Sequence, residues 1–571
     1  MEKKSHDSGM HSENGYNISR DSLTPKQKRL ILQRRKRRRI SKRVGIVLCL
    51  IEFVLFALAM LTVYRLGIVP MRYLVAAGAL IAAVSVFALV SQFAKHKLPG
   101  KIIAVVLAFL CGFTTFYANV TLDALSAVTG ANTEQHQYSI VVAASDSAES
   151  MSDVADYTFE YVSGMDSSNL TKLEEMIAKD TDKTPTVEEV SDWQTVITNV
   201  STGSQIAVIV PENIRDSISS IMTTFDTDTK VLKTYTISEI VTESDSSSNS
   251  SNVDVSMEPF ALYIAGNDEE GPIGTTGNND VNLVVVVNPE TRQILIISTP
   301  RDSYVSIVSD TGEVMEKDKL THAGDYGVAY SMATLEHLYN VNLDYYFRLN
   351  FTGCAGIVDA IAPITVHSDV DFTTTEDTYP EPLTFYAGDN VIDNGEYALA
   401  FCRERHAFPL GDIQRGKNQM YVLTAIINRV SSPAILTRYT SLMESIKDLF
   451  NTNMPQSAFT KLVNMTLEDS TWNIQTYSTM YDSFESLYSP LLTFNVDMTI
   501  LDETSVQIVM EMIDKVEAGD VFDVNSYALE RYTELGGANP DRAADALSGD
   551  TDSTSSETTS ETSETATAAA G

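Results

Sequence analysis

The sequence predicts an α/β protein carried behind helical membrane segments, and three observations predict it. Three apolar runs near the N-terminus are each about long enough to cross a bilayer. Downstream, short runs rich in Val and Ile that read as buried strands alternate with stretches of helical periodicity. Two Ser-rich polar stretches without an apolar pattern read as a linker and a disordered tail. The 571 residues therefore divide into a cytoplasmic basic tail (1–43), three transmembrane helices (44–120) and an extracellular accessory α/β domain (137–240). A linker (241–257), a larger α/β domain (258–518) and a disordered Ser/Thr/Glu-rich tail (537–571) complete the chain.

The membrane assignment rests on length and charge. The apolar runs cover 44–63, 73–93 and 102–120. Residues 26–43 hold eleven Lys and Arg and no acid, and Lys95, His96, Lys97 and Lys101 fill the loop between the second and third runs. Positive charge stays on the cytoplasmic side, so the N-terminus is placed inside and everything beyond about residue 121 outside. Arg65 and Arg72 oppose this placement but are outnumbered. The apolar stretch starts too late for a cleavable signal peptide, and two more follow it. The net charge of −35, from 41 basic and 76 acidic residues, argues against nucleic acid as the main partner.

In the accessory region 138–144, 205–210 and 230–237 read as strands, and 169–179 and 214–225 as helices. Its Asp-rich loops read as solvated surface, and no catalytic constellation is evident. The larger domain opens with a strand at 260–265 and a loop from Gly266-Asn267-Asp268 to Asp280. A hairpin of 281–287 and 293–299 follows, ending in Pro300-Arg301-Asp302. If it is antiparallel, Asp280 and Arg301 lie at the same end of the sheet, and Asp268 reaches that edge too. Lys319 is a further candidate phosphate contact, whereas His322 reads as structural. Helices are expected at 328–339 and 354–361 and onward to about 467, with a strand at 345–350. A strand near 472–479 and a helix near 505–516 end the domain.

The central stretch is 395–419. Its first half alternates like a strand, which sends Arg403 and Arg405 to one face. A helix follows from about Asp412 to Val430, with Asp412, Arg415, Gln419, Leu423 and Ile426 on one face. Arginines gathered at a helix start make an anion site, because guanidinium forks match phosphate oxygens and the helix end adds partial positive charge. In the competing arrangement Glu404 and Asp412 pair with the arginines internally. The four cysteines have no metal-ligand spacing. Cys354 and Cys402 are open either to a disulfide or to remaining buried thiols.

These motifs in this order resemble the LytR-CpsA-Psr (LCP) family of bacterial cell-envelope proteins. The matching pieces are Gly266-Asn267-Asp268, Asp280-Val281-Asn282, Ser298-Thr299-Pro300-Arg301-Asp302 and Lys319-Leu320-Thr321-His322-Ala323. Asp344-Tyr345-Tyr346, Gly395-Glu396-Tyr397-Ala398-Leu399-Ala400, Arg403-Glu404-Arg405 and the Asp412, Arg415, Gln419 helix continue the series. The likeness is strong over 258–430 and weak to about 518. Three membrane segments followed by an accessory domain resemble the capsule-type members.

The resemblance implies a central mixed β-sheet flanked by helices. It also implies a Mg²⁺-dependent, membrane-anchored phosphotransferase of Gram-positive cell-wall biogenesis. Such an enzyme moves a glycopolymer, teichoic acid or capsule, from a polyprenyl-pyrophosphate carrier onto peptidoglycan and releases polyprenyl phosphate. By motif, Asp268 and Asp280 resemble the metal-holding carboxylates. Arg301, Lys319, Arg403, Arg405, Arg415 and Gln419 resemble the pyrophosphate-binding set. Arg403 is counted with the catalytic residues, and Asp268 and Asp412 are the candidates for the base. Gly277, Asn278 and Asn279 stand where many members carry arginine before the second aspartate, and Ala362-Pro363 where a Gly-Gly pair is common. The alternatives are a polyprenyl-pyrophosphate hydrolase and a non-catalytic binder or envelope regulator.

Overall fold

The computed structural model describes residues 10–11, 17–18, 24–67, 71–94, 97–128, 132–202, 205–241, 253–267, 275–409, 411–430, 432, 450–468 and 472–537. Asp268, most of the tail before 25, the greater part of the 241–257 linker and the tail beyond 537 lie outside the described residues. The chain divides into two compact units, Met1–Asp123 and Ala124–Gly571.

The first unit contains α1 (Pro25–Leu66), α2 (Met71–Ser91) and the start of α3 (Leu98–Val128). All three are long and apolar enough to cross a membrane, and near the N-terminus they suggest membrane anchoring. The basic run is the first half of α1 rather than a separate tail, because Lys, Arg, Gln and Leu all favour helix. Glu52 of α1 is fully buried and accepts a 2.6 Å hydrogen bond from Ser85 of α2. A polar pair in an apolar setting fixes how two helices face each other.

In the second unit, residues 132–241 form a five-stranded sheet of order β3-β2-β4-β1-β5. Its strands are β1 (Asn132–Ala143), β2 (Thr158–Val162), β3 (Thr186–Val190), β4 (Ile206–Pro211) and β5 (Thr229–Val241). Helix α4 (Ser167–Thr181) covers one face with Leu173 and Ile177. Helices α5 (Trp193–Thr202) and α6 (Arg215–Ile221) cover the other with Trp193, Val196 and Ile218. Strands β2 and β3 and helix α5 were not read from the sequence. Glu188 and Glu189 break the apolar pattern of the edge strand β3, and Gln194, Thr195, Thr198 and Asn199 dilute that of α5.

The larger domain is built on a six-stranded mixed sheet of order β14-β11-β6-β7-β8-β15. The central strands are β6 (Phe260–Asn267), β7 (Asn279–Asn288) and β8 (Gln293–Ser298), antiparallel in turn. Their Val and Ile runs are buried on both faces, so they read as continuous apolar sequence. The hairpin β9 (Tyr304–Val308) and β10 (Val314–Lys319) follows. Helix α7 (Val328–Tyr339) packs on one face of the sheet. Strand β11 (Tyr345–Asn350) runs parallel to β6, and helix α8 (Phe351–Ile361) follows with Asn350 as N-cap. Tyr345 and Tyr346 are core residues.

Next come the paired strands β12 (Ile364–Ser368) and β13 (Gly388–Ile392), helix α9 (Gly395–Arg403) and helix α10 (Gly411–Val430). The strand expected at 395–405 is therefore corrected to a helix. Its residues include Glu, Leu and two Ala, all strong helix formers, and no β-branched side chain. Asn394 caps it by accepting from the Tyr397 amide at 2.8 Å. Gly395, Ala398 and Cys402 are buried at helical spacing against α8. A Cβ on Gly395 would lie 2.1 Å from the Ala355 carbonyl oxygen, so only glycine permits this approach.

The remaining elements are β14 (Asn451–Thr452), α11 (Gln456–Glu468), β15 (Asn473–Ser478) and the hairpin of β16 (Tyr481–Ser489) with β17 (Phe494–Leu501). Helices α12 (Glu503–Ala518) and α13 (Val524–Glu534) share the α7 face, and the core continues to Tyr532, beyond residue 518.

The two domains of this unit are joined by specific contacts. Leu492 at the β16–β17 turn enters the core that holds Trp193, whose amide donates to Thr493 Oγ1 at 3.0 Å. Glu134 of β1 pairs with Arg348 of β11 at 3.3 Å and accepts from the Val328 amide at 3.0 Å. Asn213 donates to Asp325 at 2.9 Å.

Candidate functional site

The site forms where strands β7 and β8 meet the start of α10. The hairpin register sets Ser298 opposite Leu283, so Asp280 and Arg301 arrive at one sheet end. An Arg301 Nη donates to Asp280 Oδ1 at 2.6 Å. Arg415 pairs with the other Asp280 oxygen at 3.6 Å, its helix α10 lying close to β8. The approach is close: a Cβ on Gly416 would stand 2.8 Å from Ser298 Oγ, so any larger residue would make that hydroxyl turn away. Asn418 ties α10 to α9 by donating to the Phe401 carbonyl at 3.1 Å.

Asp302 extends the cluster. It accepts from Lys319 Nζ at 2.8 Å and lies 3.5 Å from Arg301 Nε. Burial by itself pushes the Asp302 carboxyl up, but Arg301 and Lys319 outweigh this and hold it below the usual carboxylate range. Three cations thus face two carboxylates. Asp280 and Arg415 side chains are each only 8% exposed. In a partly dry site, arginine forks suit phosphate oxygens.

The structure thus places the expected residues unevenly. Asp280, Arg301, Arg415 and Lys319 come together, and Gln419 follows Arg415 one turn later on α10, half-buried. Arg403 is exposed at the end of α9, its guanidinium 4.5 Å from the Phe351 ring centroid. With 395–403 helical, strand alternation no longer puts Arg403 and Arg405 on a shared face. Arg405 Nε donates to His406 at 3.3 Å, and its carbonyl stands beside Gly411 at the start of α10. Asp268 is outside the described residues, as is the side chain of Asp412.

Glu404 does not neutralise the arginines on either side of it. It is fully buried and accepts from the amides of Thr375 at 2.7 Å and Ala407 at 2.9 Å. These bonds shape the loop that carries Arg405. Glu404→Ala, which removes the acceptor of two loop amides, is expected to cost about 1–2 kcal/mol in a denaturant titration. His322 is buried, its Nδ1 2.8 Å from Asp318 Oδ1. Cys354 and Cys402 are free thiols in hydrogen-bond contact between α8 and α9.

Asp302 is the site residue whose part the sequence reading left unassigned, although its place next to Arg301 was the available signal. The Asn279 side chain, at one of the positions where arginine is common, is buried and donates to Ser331 Oγ at 2.9 Å and to Tyr263 at 3.2 Å. It serves the core beside Asp280.

The model of the LytR_cpsA_psr family matches residues 226–510. A polyisoprenyl-teichoic acid–peptidoglycan teichoic acid transferase, TagU, of Bacillus anthracis is 34% identical over 212 residues, 36% of this chain and 66% of the relative. The Enterococcus faecalis protein of that name is 30% identical over 200 residues, covering 34% and 62%. The chain therefore spans a little under two thirds of these relatives' length. A crystal structure of B. subtilis TagV aligns at 24% identity and a TM-score of 0.38, over 46% of this chain and 99% of that one. Residues 226–510 are a domain of the LytR-CpsA-Psr family.

Proposed function

We propose that the protein is a membrane-anchored phosphotransferase that moves a glycopolymer from a polyprenyl-pyrophosphate carrier onto peptidoglycan. The observation that carries this is the cationic cluster of Arg301, Arg415 and Lys319 around Asp280 and Asp302. It sits in a domain related to proteins named for teichoic acid transfer. A hydroxyl of the acceptor attacks the sugar-linked phosphorus, the bond to the bridging oxygen breaks, and polyprenyl phosphate leaves with that oxygen. The arginines and Lys319 hold the pyrophosphate and offset the charge that grows on its oxygens. Asp268 and Asp412 remain the candidates to take the hydroxyl proton.

Mg²⁺ fits the donor chemistry, because Asp280 and Asp302 present hard oxygen ligands beside the place proposed for phosphate. Asp280, with Asp268, would hold it, and when bound it supplies charge neutralisation for the pyrophosphate. By the positive-inside bias, the basic half of α1 and Lys97 and Lys101 at the start of α3 belong to the cytoplasmic side and the catalytic domain to the outside of the cell. The partners follow as a lipid bilayer, the lipid-linked polymer (wall teichoic acid or capsular polysaccharide) and peptidoglycan.

The test uses detergent-solubilised full chain with a polyprenyl-pyrophosphate-linked sugar, Mg²⁺ and peptidoglycan fragments, the products resolved by mass. Sugar phosphate joined to the fragment is the expected product, and chelation by EDTA is expected to lower its formation more than about tenfold. Free sugar phosphate alone would mean a hydrolase. Unchanged donor would mean a binder or regulator.

A further inference from the structure

A cleft of about 730 Å³ opens between the accessory domain and the larger domain, on neither side of which the catalytic cluster contributes a lining residue. This size lies within the usual range for ligand pockets, about 300–1,000 Å³. A second cleft of about 400 Å³ adjoins it, sharing Met165, Ile214, Tyr326 and Leu491. The second reaches Asp318, the residue before Lys319 of the catalytic cluster.

The chemistry of the walls is selective. Tyr326 and Tyr330, on successive turns ahead of and within α7, stack with ring centroids 5.2 Å apart and planes at 24°. Two of the five lining carboxylates are neutralised, Glu134 by Arg348 and Glu239 by Lys172. Asp166 and Asp310 add negative charge, Asp325 accepts from Asn213, and the described lining includes no Lys or Arg. Asn169, 4% exposed, lines the cleft, and its Oδ1 has no hydrogen-bond partner among the described residues. The walls thus offer acceptors in excess and a flat aromatic surface. Phosphate-bearing polymers are repelled by Asp166 and Asp310, whereas an uncharged ring rich in hydroxyl and amide donors is matched.

We propose that this interdomain cleft binds an uncharged amino-sugar glycan, stacking a sugar ring on Tyr326 and Tyr330 and accepting its hydroxyl and amide protons at Asn169, Asp166 and Asp310. Under the transfer reaction above, on which the role but not the binding rests, this glycan is the acceptor strand. Its end is delivered toward Lys319 along the adjoining cleft, away from the anionic donor.

The test is isothermal titration of the detergent-solubilised full chain with the N-acetylglucosamine tetramer, with poly(glycerol phosphate) as competitor. Wild type is expected to bind the tetramer without competition, and Tyr330→Ala and Asp310→Lys each to weaken binding about tenfold. Asp310→Lys, at a loop position, keeps the test open if Tyr330→Ala does not fold. No binding by wild type, undiminished binding by folded variants, or displacement by poly(glycerol phosphate) would each overturn the cleft. In the transfer assay, a folded variant that still cleaves the donor but joins less product to peptidoglycan supports the acceptor role. Undiminished transfer removes that role and leaves the transferase standing. Cleft-dependent binding in a chain that never turns over donor keeps the glycan site and removes the transferase.

Discussion

Arg301→Ala is expected to lower kcat/KM for donor turnover by about 10²–10³-fold, the loss typical when one preorganised charge-stabilising donor is removed. That corresponds to about 2.7–4 kcal/mol of transition-state stabilisation. The effect should be large because one guanidinium serves both carboxylates, reaching Asp280 at 2.6 Å and Asp302 at 3.5 Å. Without it, among the described residues, Asp280 keeps Arg415 at 3.6 Å, and Asp302 keeps Lys319 at 2.8 Å with Arg415 farther off. Two partly buried carboxylates would then repel the pyrophosphate of the proposed donor. Arg301→Lys should recover little, since a single ammonium cannot reproduce the planar fork that reaches two partners. Steady-state kinetics on folded variants decide this. Turnover within a few-fold of wild type in Arg301→Ala would place the chemistry elsewhere.

Asp318→Ala is expected to cost about 2–4 kcal/mol of folding stability, because it strands several buried hydrogen-bond donors at once. Asp318 gathers the His322 ring at 2.8 Å, the Lys319 amide at 2.7 Å, Ser489 Oγ at 2.8 Å and the Leu491 amide at 3.2 Å. It therefore clamps hairpin β16–β17 to β10, and with it the surface on which the accessory domain docks. Burial alone pushes its carboxyl up, yet the His322, Lys319 and Ser489 bonds outweigh this and hold it below the usual range. A depressed carboxyl contributes stability that is complete above its unfolded value, about pH 3.9. The contribution is lost as pH falls further, through the folded value. Denaturant titrations of wild type should therefore weaken on acidification below about pH 4. Asp318→Asn, which keeps the shape without the charge, should lose that part of the acid dependence. An acid limb identical in both proteins would show that another group carries it.

The family was legible because its motifs are local. The Val and Ile runs of β6 to β8 are strands in any buried setting, and a hairpin joining 281–287 to 293–299 leaves Asp280 and Arg301 little choice but to meet. The stretch 395–405 was less legible. Short-range alternation suggested a strand, but Glu, Ala and Leu favour helix, and Gly395, Ala398 and Cys402 bury at helical spacing. That single change of period moves Arg403 onto Phe351. It also leaves Glu404 to hold backbone amides rather than arginines.

By itself the sequence determined the apolar membrane-length helices, the order of the strands that form the core, the family and the residue types of an anion site. Each of these depends on composition, periodicity or neighbours within one hairpin. Tertiary structure alone decided which cations converge. Arg415 reaches Asp280 because α10 packs close to β8, with Gly416 beside Ser298. Lys319 reaches Asp302 only because β10 returns beside β9. It also created the cleft between domains, whose Asn169 and Tyr330 stand 161 residues apart in sequence. Contacts at that separation depend on how whole elements pack, which no local pattern encodes.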